Sequence, residues 1–179
     1  MSFSAELPEG IRSRLLQAGF FQRSGARFYN SMFKRLNDGT EIAIFDYSWK
    51  DSRRRRNYYL SVFWAYCEDL RLPRFRLRPE VPLFDDVAEA FGMQDINFEN
   101  HPDFSRRYLL RGEDEAKIRL RFHPSFLNFL EQHPPCYAKG FGPQLVIWRD
   151  YPPLETPEKM ADWLRFGEEW VQRLRLRRV

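Results

Sequence analysis

The chain has 179 residues, of which 43% are hydrophobic and 17% aromatic, and 29 Lys and Arg against 25 Asp and Glu leave a formal charge of +4. At this length roughly 70% of the unfolded surface can be buried, and so aromatic a composition excludes a disordered chain. The apolar runs fall short of the roughly 20 residues that cross a bilayer, and the opening MSFSAELPEG has neither a basic nor an apolar leader segment, so a cytoplasmic protein is expected.

Pro8 opens a short helix whose Ile11, Leu15 and Ala18 follow helical spacing, and Gly19 stands where a C-terminal cap belongs. Residues 28–36 and 40–49 read as two strands joined by the hairpin turn Asn37-Asp38-Gly39. A third strand over 58–67 alternates Tyr58, Leu60, Val62, Trp64 and Tyr66 on one face, with residues 51–56 as the loop before it. A fourth, 74–78, is stopped by Pro79. Residues 83–91 predict a brief helix with Asp85 and Asp86 in its first turn.

Short strands are expected around 96–98 and 108–110, then a helix over 113–122 with acids at its start and a second helical piece over 124–130. Residues 137–141 and 144–149 suggest a closing hairpin about Gly142-Pro143. The last element is a long helix: Thr156 is the cap, Pro157 the first helical position, and Met160, Trp163, Leu164, Gly167, Trp170, Val171 and Leu174 form one apolar face. That face, with Arg173, Arg175, Arg177 and Arg178 beside it, has the makings of a lipid-binding helix, but an aromatic antiparallel sheet needs a covering layer and packing is expected.

The chemistry-bearing residues are few. Cys67 and Cys136 lack metal spacing, and a buried thiol is expected for Cys67. The histidines all precede proline, as His101-Pro102, His123-Pro124 and His133-Pro134. A residue before proline is pushed out of the helical region, so these read as helix boundaries rather than as metal ligands. Pro102-Asp103 followed by Glu115-Ala116-Lys117 matches the loose Pro-Asp then Glu-x-Lys pattern of metal-dependent nucleases, which needs carboxylates and a lysine convergent on a divalent ion. Here Glu115 and Lys117 fall in an expected helix, with Arg119 four residues beyond Glu115. Arg53, Arg54, Arg55 and Arg56 at a hairpin tip beside aromatic strands are candidate nucleic-acid contacts, against the simpler reading of a hydrated loop.

The run Ile44-Phe45-Asp46-Tyr47, the run from Asp69 to Glu80 (DLRLPRFRLRPE) and the block from Asp95 to Glu131 together resemble a family of uncharacterised bacterial proteins. Many members of that family carry this domain behind one or two N-terminal transmembrane helices, whereas no membrane segment is expected here, and its relatives tend to have Gly, Ser and Thr where this chain has its arginines. The resemblance implies no catalytic residues.

These readings predict an α+β fold, a mostly antiparallel sheet made of an N-terminal meander and a C-terminal hairpin with helices packed on it. A single domain over 1–179 is expected, pseudo-two-part if there is a break near Glu80. No catalytic residue, metal ligand or cofactor is assigned. The expected function is a non-enzymatic binding or scaffold module with a protein partner, the alternatives being a nucleic-acid binder that uses Arg53 to Arg56 and a metal-dependent nuclease.

Overall fold

The computed structural model describes residues 2–51, 55–80, 94–149 and 156–175. In chain order its elements are β1 (Ser2–Glu6), α1 (Glu9–Gln17), β2 (Arg27–Arg35), β3 (Glu41–Asp51), β4 (Arg56–Tyr66), β5 (Leu72–Pro79), β6 (Gln94–Asp95), α2 (Pro102–Arg107), β7 (Tyr108–Gly112), α3 (Glu115–Arg121), α4 (Pro124–Gln132), β8 (Tyr137–Gly142), β9 (Gln144–Arg149) and α5 (Pro157–Leu174). The fold is α+β, with antiparallel strand pairing and helices layered on it. It divides into two compact units: Met1–Cys67 with Trp148–Glu168, and Glu68–Ile147 with Glu169–Val179.

In the first unit the strands run β1-β2-β3-β4. The β3–β4 pair is in register from Glu41 and Tyr66 down to Asp51 and Arg56, so the presumed loop 51–56 is shorter than expected, both its ends being strand. In β4 the residues Tyr58, Leu60, Val62, Trp64 and Tyr66 share one face as expected, and residues 60–65 are all buried, because both faces of the strand are covered. Helix α1 lies on the face of Glu41, Phe45, Tyr47 and Tyr66. There Arg14 pairs with Glu41 and sits 4.4 Å from the Tyr66 ring, and Ile11 and Leu15 are buried. On the opposite face Gly167 of α5 meets Phe63 so closely that an added Cβ would lie 2.1 Å from the ring, which is the role its place on the apolar face predicted. Lys34 and Glu168 pair beside it. Trp163 and Phe166 stack at 5.4 Å, with the Arg149 guanidinium 4.8 and 4.7 Å from their ring centres.

Strand β1 was not expected from its sequence. It is anchored by Ser31, which sits at a register shift in β2 and donates its hydroxyl to the carbonyls of Ser4 (3.1 Å) and Glu6 (2.7 Å). Tyr47 fixes the α1–β2 connection, donating its hydroxyl to the Phe21 carbonyl at 3.1 Å, where Phe21 takes a left-handed φ of 56°.

In the second unit the order is β9-β8-β5-β7-β6. The strand expected at 96–98 lies at Gln94–Asp95. The helix expected at 83–91 lies outside the described residues. At the β7–α3 junction Gly112 packs under Ile118, whose Cδ1 an added Cβ would approach to 2.1 Å. Phe75, Phe104, Phe122 and Phe126 are all buried and meet edge-on or tilted at 5.2–6.3 Å. Trp170, in the part of α5 that belongs to this unit, closes that core edge-on against Phe126 at 4.9 Å. Trp163 and Trp170 are thus 4% and 0% exposed, packed as expected and out of reach of a bilayer, whereas Leu164 is only half-buried. Cys67 and Cys136 are both buried, and neither is in a disulfide.

Candidate functional site

Of the four arginines at the β3–β4 tip, Arg53 and Arg54 lie outside the described residues. Arg55 is exposed with a left-handed φ of 52°, and Arg56 opens β4 opposite Asp51. The Arg56 guanidinium is 5.4 Å from the Tyr58 ring, and Tyr58 stacks on Trp49 at 4.7 Å and 8°. The stacking surface that a base would use is therefore partly occupied by the chain's own groups. Because a non-glycine residue is strained in the left-handed region, Arg55→Gly is expected to raise stability by up to about 1 kcal/mol. Urea unfolding checks this, and a clear loss would show that the Arg55 side chain has a partner that matters.

The nuclease-like residues are held apart in local ion pairs. Asp103 lies in α2 and pairs with Arg106. Glu115 and Lys117 are both in α3, as expected, where two residues of separation turn them about 200° apart around the axis. Glu115 pairs with Arg119 at 2.7 Å, and Lys117 with Asp114 at 2.8 Å. The helix begins later than residue 113: its cap is Asp114, whose Oδ1 accepts the Lys117 backbone N–H at 3.0 Å. The Lys117 ammonium, followed by that N–H, holds the Asp114 carboxyl below its ordinary value of 3.8. A carboxyl depressed in the folded state contributes stability above its unfolded pKa and loses it as pH falls through the folded value. In an NMR acid titration the Asp114 carboxyl should therefore titrate below an ordinary aspartate, and Lys117→Met should raise its midpoint. An unchanged midpoint in the variant would contradict the Asp114–Lys117 ion pair, since methionine keeps the backbone N–H of the cap.

Each histidine marks a helix end, as its proline predicts. His101 caps α2, with Nδ1 3.5 Å from Glu131 Oε1, an atom that also accepts the Phe104 N–H at 3.0 Å. His133 closes α4, its Nδ1 donating to the Phe129 carbonyl at 2.7 Å. His123 starts α4, its Nε2 donating to the Arg173 carbonyl at 3.1 Å, with Nδ1 hydrogen-bonded to the Ser125 hydroxyl at 3.0 Å.

That last contact belongs to a groove in the second unit that the sequence did not reveal. The end of α3, the start of α4 and the last turn of α5 enclose about 490 Å³ between Leu120, Arg121, His123, Ser125, Gln172 and Arg173. Arg121 is 6% exposed, and burial alone draws its guanidinium below the ordinary value. It donates from Nη1 to the Leu174 carbonyl and from Nη2 to the Arg71 carbonyl at 3.1 Å. The other buried charge among the described residues is Asp46 in the first unit, which accepts from Asn30 Nδ2 at 3.0 Å and from the Ser61 hydroxyl at 3.3 Å.

No protein-family model matches the chain, and no curated protein matches it. Its structure is similar to the crystal structure of the mycobacterial trehalose monomycolate transport factor A, TtfA, with a TM-score of 0.60 over 96% of this chain and 83% of that one, at 10% sequence identity. The likeness is one of fold. Among the described residues no helix is long and apolar enough to cross a membrane.

Proposed function

We propose that the chain is a non-enzymatic binding module of the cytoplasm whose partner is a protein, and that it belongs with the uncharacterised bacterial proteins its motifs resemble. The observation that carries this reading is where the reactive side chains are engaged. Asp103, Glu115 and Lys117 are each in an ion pair of their own helix or its cap, and the three histidines bond to groups at helix ends. Side chains committed in this way hold elements together and do not converge on a substrate. The fold likeness to a transport factor is compatible with this reading and does not by itself assign a role.

The test is co-purification of the tagged chain from its own cells after nuclease treatment, washed at low and then high salt. A discrete protein retained in constant proportion is expected. Recovery of nucleic acid alone, lost on nuclease treatment, would overturn the proposal in favour of the arginine-tip reading, and magnesium-dependent cleavage abolished by Glu115→Ala would overturn it in favour of an enzyme.

A further inference from the structure

We draw no further inference here: the strongest candidate, the sheet face of the second unit that carries Arg74, Arg76 and Arg78 of β5 beside Arg111 of β7 and Lys139 of β8, has Arg74 and Arg111 paired with Glu113 and Asp95 and Arg76 and Lys139 engaged by other groups, so nothing in the structure shows what covers it.

Discussion

Trp170→Ala is expected to lower the unfolding free energy by about 3–5 kcal/mol, a large share of the 5–15 kcal/mol that holds a typical domain. Trp170 is 0% exposed and meets Phe126 edge-on, and Phe126 in turn joins Phe122, itself in contact with Phe75 and Phe104. Removing the indole leaves a cavity in a wall built of rigid rings, which relax little to fill it. Urea unfolding should show a lower midpoint with an unchanged slope. A loss below about 1 kcal/mol would mean that α5 is an appendage of the second unit and not part of its core.

Arg121→Met is the second large effect, expected to cost about 2–4 kcal/mol. Methionine keeps much of the aliphatic volume and removes the donors, so the loss reports on the two carbonyls left behind, Leu174 O and Arg71 O. The second belongs to a residue with a left-handed φ of 41°, a conformation that a side-chain residue holds only when its surroundings impose it. Arg121→Lys should recover part of the loss, since an ammonium keeps the charge without the forked pair of donors. Replacement of a buried charge by an apolar group is sometimes neutral. A neutral result here would show that the apolar packing gained by methionine offsets the two unpaired carbonyls, so that the guanidinium adds no net stability. Thermal unfolding, with amide exchange over the last turn of α5, distinguishes the two outcomes.

Local signals carried most of the fold. Helix α5 was legible because Thr156 and Pro157 mark its start and its apolar residues recur at helical spacing, and the Thr156 hydroxyl does accept the Lys159 N–H at 3.3 Å. Phe166 escaped that reading: it is 8% exposed because Arg149, distant in sequence, lies on its ring. The same limit explains β1, whose five residues have no hydrophobic pattern of their own and are held by β2, whose Ser31 bonds to carbonyls 25 and 27 positions back. The groove was illegible for a stronger reason. Arg121 stands between Leu120 and Phe122 in what reads as an ordinary amphipathic helix, and its partners are 50 and 53 residues distant. Nothing local says that this arginine turns inward while Leu120 turns out. The His-Pro pairs, by contrast, were correctly legible as helix boundaries because the proline acts on its immediate neighbour.

The most direct measurement is cross-linking of the full chain in living cells, followed by nuclease treatment and separation of protein from nucleic-acid adducts. A binding module with a protein partner should give one discrete protein adduct that survives the nuclease and persists when Arg53, Arg54, Arg55 and Arg56 are replaced by serine. Nucleic-acid adducts alone, lost with that replacement, would contradict the partner class assigned to this chain.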